Sequence, residues 1–354
     1  MAIIGRPPVK KLMIENSLRE RIVSGELAPG ARVPTRRALA SLYDAMPNTI
    51  QDALASLERD GFVVAKGNRG TYVAPKPPHL SHFALVFPVQ PDSSGWGLFW
   101  GHLSDVSRRV VKEQGLKLTI YTGIHKNDPG EDYETLLDDV RNDRLAGIIF
   151  PITPFGVKGT EVLEKPGIPR VVMGTPDPTH PTMGHVDMDN ASFVAKAVSY
   201  LTEKGFKSVG LLQHPRNETC LLLAELEKAG IACPTHFQQA VGLDDVKWAR
   251  NSMRLLFDAG RTARPEALMV LNDNLCLPAL SGIIDAGLSV PHDLEILTHT
   301  NFPWQEEFLV PVTRLGFDME ALLRVFIEEL ERQREGQAPK NYMLPAIFED
   351  EIET

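Results

Sequence analysis

The stretch RVPTRRALASLYDAMPNTIQDALASLERDGFVVAKGNRGTYV, Arg32–Val73, decides the fold of the amino-terminal part of this chain. Thr35 is placed to cap a helix, and Leu39 and Leu42 follow three apart on one face. The pattern breaks at Asp44–Met46. A second helical segment, Asn48–Asp60, sets Ile50, Leu54 and Leu57 at i, i+4 and i+7, and Gly61 ends it. Phe62–Ala65 and Thr71–Val73 then read as two short strands around a four-residue turn, Lys66–Arg69. Two helices joined by a tight break and followed by a hairpin make a winged helix-turn-helix. Such a unit lays its second helix in the major groove of B-DNA, about 12 Å wide. Upstream, Lys10–Val23 reads as a further helix with Ile14, Leu18 and Ile22 on one side, stopped by Gly25. Residues Met1–Val9 read as a loose leader.

These residues resemble the DNA-binding domain of the GntR family of bacterial repressors. The family's signals stand here as Ser24-Gly25-Glu26-Leu27, Pro29-Gly30, Val33-Pro34, Arg37, Leu39-Ala40, Ala53-Leu54, Leu57-Glu58, Gly61 and Gly70-Thr71-Tyr72-Val73, in order and at the family's spacing. The resemblance implies that Arg37 contacts DNA, with Thr35 and Arg36 facing phosphates. A guanidinium suits both phosphate and guanine. The recognition helix departs from the family's Ser-Arg-Thr-Thr-Val-Arg, reading Met46-Pro47-Asn48-Thr49-Ile50-Gln51. Two capping schemes stay open. Either Pro47 takes the first helical position behind a poor cap, Met46, or Asn48 caps and Gln51 closes a capping box. Asn48 and Gln51 suit adenine, which each can bond through two hydrogen bonds. In the wing, Arg69 reaches either the minor groove or a phosphate, beside Gly70 and Thr71. Gly70 supplies a backbone conformation that other residues resist.

Charge is divided along the chain. The 354 residues carry a formal net charge of −9. Residues 1–75 hold 11 Lys and Arg against 7 Asp and Glu, or +4, which leaves −13 on the remainder. The basic charge lies where phosphates would be met, and the acidic remainder favours docking head-first. No amino-terminal apolar run suggests a signal peptide, and no stretch approaches the length of a membrane span. Three cysteines, Cys220, Cys233 and Cys276, are few and far apart, which suits a reducing cytoplasm.

Ala74–Ser81, with Pro75, Pro77 and Pro78, reads as a stiff linker. The expected domains are therefore 1–75, a linker over 76–81, and 82–354. Beyond it strands and helices alternate. Strands are expected at Phe83–Val89, Lys117–Tyr121, Ala146–Phe150, Arg170–Met173, Ser208–Gln213, His236–Ala240, Ala267–Leu271 and Glu295–Thr298. Helices are expected at Leu98–Gln114, Tyr133–Asn142, Asn190–Lys204, Thr219–Ala229, Asp244–Ala259 and Leu275–Ala286. Alternation of this kind implies an α/β fold with parallel sheets covered on both faces, here in two lobes.

Residues 80–354 resemble the effector domain of the LacI family, which shares its two-lobed fold with periplasmic sugar-binding proteins. The matching residues are Val186-Asp187-Met188-Asp189-Asn190, Gly205-Phe206-Lys207-Ser208-Val209-Gly210, Asn272-Asp273, Ala286-Gly287, Val290-Pro291, Pro311-Val312-Thr313 and Asp318. The resemblance implies three crossings between lobes, near His185–Met188, His299–Asn301 and Gly316–Asp318. It also implies a ligand held in the cleft between the lobes, with closure about a hinge. Trp96, Phe99 and Trp100 are candidates to stack on a sugar, and Asp273 to bond its hydroxyls. Asp187, Thr300, Trp304 and Gln305 are further candidates. The chain departs from the family at the pocket arginine, where Glu218 stands and Arg216 is nearby. It departs again with Thr298-His299-Thr300 in place of Gly-x-Asp.

The expectation is a cytoplasmic, homodimeric transcriptional repressor. It would bind double-stranded operator DNA under the control of a small-molecule effector, a sugar by resemblance. A solute-binding protein, or a regulator answering a non-sugar ligand, stays open beside it. No nucleotide-binding glycine loop, nucleophile elbow or metal-binding histidine pair occurs, so neither an enzyme, a cofactor nor a metal is expected.

Overall fold

A computed structural model describes residues 9–93, 95–174, 176, 182–260, 263–304 and 307–352. The expected leader and Gln305 lie outside the described residues, apart from Val9.

The chain opens with α1 (Val9–Val23), α2 (Arg36–Leu42), α3 (Pro47–Arg59), β1 (Val63–Ala65) and β2 (Thr71–Val73). Ile14, Leu18 and Ile22 of α1 are buried against Leu39, Ile50, Leu54, Leu57 and Phe62, and Val63 and Val73 of the hairpin close the same core. β1 and β2 are antiparallel, pairing Val64 with Tyr72. Leu42 does not share the buried face with Leu39. It is 63% exposed, because α2 is only seven residues long and ends there.

The segment expected as a stiff linker carries local structure of its own. Pro78–Ser81 forms a short helix, α4, and the Ser81 hydroxyl donates to the Pro77 carbonyl at 3.1 Å. The His79 ring stacks on buried Phe62, centroids 5.9 Å apart. Proline fixes the entry to this turn at the first helical position, where its missing N–H costs nothing.

After α4 the order is β3 (His82–Val86), α5 (Leu98–Glu113), β4 (Lys117–Tyr121), α6 (Glu131–Arg141), β5 (Gly147–Phe150), α7 (Glu161–Glu164), β6 (Arg170–Met173) and β7 (Gly184–Met188). Next come α8 (Asn190–Glu203), β8 (Val209–Gln213), α9 (Cys220–Lys228), β9 (Gln238–Ala240), α10 (Lys247–Leu256), β10 (Ala267–Val270), α11 (Cys276–Asp285) and β11 (Glu295–Phe302). The chain finishes with β12 (Thr313–Asp318), α12 (Met319–Arg334), β13 (Asn341–Leu344) and β14 (Ile347–Phe348). Two six-stranded sheets result, in the orders β13-β7-β6-β5-β3-β4 and β14-β12-β11-β10-β8-β9. Among the described residues the pairings within them are parallel except β12 with β14.

By packing, the chain divides into two compact units. One holds the residues up to 88, with 111–172 and 329–339; the other holds 89–110, 173–328 and those from 340 on. The first unit contains the winged head and the strands β3 to β6. There Gly147 faces Leu330 of α12, whose Cδ1 would lie 2.8 Å from an added Cβ. The second unit is centred on Leu212, Met253, Leu256, Leu268, Leu280, Ile283 and Ile296, all buried between α10, α11 and their sheet.

Two of the three crossings expected by resemblance fall where the chain changes sheet, after β7 and after β12. The third does not. β11 runs on through His299–Asn301 and stays paired with β12 as far as Phe302 and Asp318. The remaining change of sheet is at Leu344–Ile347, between β13 and β14. Gly316 permits the long β11–β12 pairing: a Cβ there would sit 1.7 Å from the Thr300 carbonyl oxygen.

Candidate nucleic-acid interface and ligand cavity

Thr35 caps α2 as expected, its hydroxyl accepting from the Ala38 N–H at 3.2 Å. Arg36 and Arg37 follow in the first turn with exposed side chains. At α3 the structure decides between the two capping schemes. Met46 occupies the cap position without a side-chain bond, and Pro47 takes the first helical position. Asn48 and Gln51 are therefore not spent on the backbone. Both are exposed, and among the described residues neither side chain has a hydrogen-bond partner. Thr49 is half-buried beside them, and Ile50 turns into the core.

The wing carries its turn on Gly67–Arg69, with Arg69 exposed. Gly70 has φ +103°, the left-handed region that favours glycine. Thr71 opens β2, and the Lys66 ammonium lies over the Tyr72 ring at 4.7 Å. Sequence reasoning missed the far end of α3. There Asp60 meets buried Arg19 at 3.4 Å and Arg144 at 3.4 Å, through the same oxygen. Arg144 also holds Asp138 at 2.7 Å and Asp139 at 3.0 Å. Asp60 was legible only as a helix-ending residue, since its partners lie far off in sequence.

Within the second unit lies a cavity of about 290 Å³. Its walls include Phe99 and Trp100 from the start of α5, Met173, Met188, Asn272, Asp273 and Asn274 after β10, and His299 and Asn301 on β11. The carboxyl end of a parallel strand and a helix start meet here, where α/β sheets bind ligands. Trp96 does not line it but packs edge-on against Trp100, centroids 5.7 Å apart. Asn274 ties α5 to this loop, accepting from the Leu98 N–H at 2.9 Å. Asp273 is buried. One oxygen accepts from the Asn274 N–H and side-chain amide, the other from the Asn301 amide at 2.7 Å. His299 touches the Phe193 and Phe317 rings, and burial holds its pKa below the ordinary imidazole value despite the nearby Asp273.

Comparison with known proteins agrees with both halves. The family model for bacterial regulatory proteins, gntR family, matches residues 10–73, and that for the periplasmic binding protein-like domain matches 198–347. This is a GntR-type helix-turn-helix head joined to a periplasmic-binding-protein-like domain. An arabinose metabolism transcriptional repressor of Geobacillus stearothermophilus is 23% identical, covering 90% of this chain and 92% of its own. A LacI-family regulatory protein from Chloroflexus aggregans superposes with TM-score 0.60 at 19% identity, over 75% of this chain and 96% of that one. A complex of the transcriptional regulator CelR with cellobiose superposes with TM-score 0.59 at 17% identity, over 89% and 98%.

In the binding-protein-like domain the structure brings Phe99, Trp100 and Asp273 to one cavity and leaves other expected residues outside its walls. Arg216 is exposed on the loop after β8. Asp187 accepts from the Met188 N–H, so its neighbour faces the cavity in its place. Thr300 is fully buried in β11 and points away from the cavity lined by His299 and Asn301 on either side. Trp304 stacks on Phe308 and meets the His102 ring edge-on, away from the cavity walls. His299 and Asn301 were missed because the strand was expected to end at Thr298. The signal that finds them is their departure from the family's Gly-x-Asp.

No helix among the described residues is long and apolar enough to cross a membrane.

Proposed function

We propose that this transcriptional regulator represses by binding duplex operator DNA as a homodimer, and that a small molecule in the cavity controls that binding. The head is residues 1–75, the connection 76–81 and the effector domain 82–354. One observation carries the reading. The first turn of α3 offers Asn48 and Gln51, exposed and free of the backbone, beside exposed Arg36, Arg37 and Arg69 on a head of net charge +4. Arg36, Arg37 and Arg69 hold phosphates, with Thr35, Gly70 and Thr71 setting the backbone that presents them. Pro47, Asn48, Thr49 and Gln51 face base edges, and the two amides read adenine. Paired heads call for a near-palindromic site.

The relative named for arabinose metabolism and the neighbour holding cellobiose support a sugar as the effector. Control requires that the ligand bind one state of the protein better than the other.

Selection from random duplexes followed by titration at several salt concentrations tests this. A selected site rich in adenine under α3 is expected, with Arg69→Ala lowering the salt slope by about 1. A protein that retains no duplex at low salt after selection overturns the reading.

A further inference from the structure

A second cavity, of about 480 Å³, lies within the first unit. Its walls are the end of α3, the proline-rich connection, the starts of β3 and β4 and the loop after α6. Four of its side chains are cations: Arg59, Lys76, Lys117 and Arg144. We propose that this cavity binds a small phosphate-type dianion, either free phosphate or the phosphate group of a small metabolite, as a ligand separate from the effector. None of its side chains walls the effector cavity.

The charges decide the class of ligand. Two carboxylates, Asp60 and Asp139, also reach the walls, but both are already engaged. Asp60 meets Arg19 and Arg144, each at 3.4 Å, through one oxygen. Asp139 takes Arg144 at 3.0 Å on one oxygen and the Tyr121 hydroxyl at 2.5 Å on the other. The remaining three cations meet no acid among the described residues. Arg59 donates to the Ser56 hydroxyl at 2.9 Å, and Lys76 to the Gly115 carbonyl at 3.2 Å. Lys117 is exposed and has no hydrogen-bond or ion-pair partner among the described residues. Nε of Arg144 is buried and also lacks one.

Lysine and arginine side chains only donate hydrogen bonds. The group that completes this set therefore only accepts and carries negative charge. A carboxylate brings one charge and two oxygens to three cations on three separate elements. A phosphate group brings close to two charges at neutral pH and three free oxygens. His82, at the start of β3, adds no charge of its own. Burial first, and the charge of Lys117 second, hold its pKa down at about 4, and the ring is hydrogen-bonded to the Thr119 hydroxyl at 2.8 Å. A bound dianion ties the last turn of α3, through Arg59, to the connection and to β4. It thus bears on how the reading helix is held. That consequence rests on the regulator reading above; the site itself does not.

The test uses the full chain in phosphate-free buffer. Inorganic phosphate and glycerol 3-phosphate are titrated by calorimetry and thermal shift, against sodium chloride at matched ionic strength. Saturable binding is expected, weakened about tenfold by Lys117→Ala and by Lys76→Ala. Both side chains are exposed, so both variants are expected to melt with the wild type when no phosphate is present. A tighter ester assigns the spare volume to an organic part, and equal affinity assigns the site to the free ion. Lys247→Ala removes an exposed cation from α10 and is expected to change nothing. Phosphate that acts no better than chloride overturns the proposal. So does binding that neither cavity variant weakens, which marks an adventitious ion only. Duplex binding without phosphate is expected to be the same for Lys117→Ala as for the wild type. A loss of about tenfold there gives the cavity to a phosphate of the DNA and likewise overturns the proposal. A chain that ignores duplex DNA altogether overturns the regulator reading and leaves the phosphate titrations standing.

Discussion

Replacing Gly316 with alanine puts a methyl group where the neighbouring strand already is. The new Cβ would lie 1.7 Å from the Thr300 carbonyl oxygen, 2.7 Å from its carbon and 2.9 Å from its nitrogen. All three are backbone atoms, so no rotamer change relieves the overlap. β11 cannot slide aside either, because it is paired on its other edge with β10 from Ala267–Glu295 to Val270–Thr298. The cost belongs at the upper end of overpacking, about 3–5 kcal/mol. For a unit of this size that lowers the melting temperature by on the order of 10 °C. His299 and Asn301 flank Thr300, so separating β11 from β12 also displaces two cavity walls. The head has its own core, formed by residues from Ile14 to Val73. Gly316→Ala is therefore expected to lose sugar-dependent fluorescence change while duplex binding persists. Melting curves and titrations on the same preparation check this. A variant that melts with the wild type and binds sugar equally well would refute the steric argument.

Asp60→Asn removes the carboxylate that faces Arg19, which is 4% exposed. Arg19 keeps Asn16 at 2.9 Å and the Phe62 ring, so the loss is expected at about 2–3 kcal/mol rather than more, read from urea melts. The pH dependence of stability follows from two imidazoles. Burial lowers His79 and His82 from the ordinary 6.5 to about 4. Between those values the unfolded chain binds protons that the folded one does not. Stability is therefore intact above pH 6.5 and falls as pH drops towards 4, by up to roughly 3 kcal/mol for buried His82 and by less for half-buried His79, where solvent screens the charge. Urea melts from pH 7.5 to 4.5 check this, and His82→Gln should flatten part of the slope.

The head was legible because its signals are local. Ile14, Leu18 and Ile22 are spaced by the helix itself, and Gly61 and Gly70 mark turns that the structure places at φ +83° and +103°. Leu42 misled because spacing cannot tell where a seven-residue helix stops. In the larger part β4, β5, β6, β8, β9 and β10 were found within a residue or two, since apolar runs between glycines and prolines set them off, whereas β7, β12, β13 and β14 were not read as strands. α12 went unread although Met319, Leu322, Leu323, Phe326, Ile327 and Leu330 carry a full helical stripe, all buried. The length of β11 was not readable in this way. It depends on Gly316 lying against Thr300 across the sheet, a contact between residues 16 apart in sequence. The cavity was half legible: the aromatic pair and Asp273 stand out as residue types, whereas His299 and Asn301 matter only once the strand is known to reach them.

Asp60 closes α3 and touches Arg144, which sits among Asp138 and Asp139 beyond α6. Groups 3.4 Å apart in partly wet surroundings form a latch that dissolved ions loosen. Raising potassium chloride would thus do two things at once: strip counter-ion gain from phosphate contacts and weaken the tie between the end of α3 and Arg144. A titration curve bent at high salt, and straightened by Arg144→Ala, is the mark such a latch would leave.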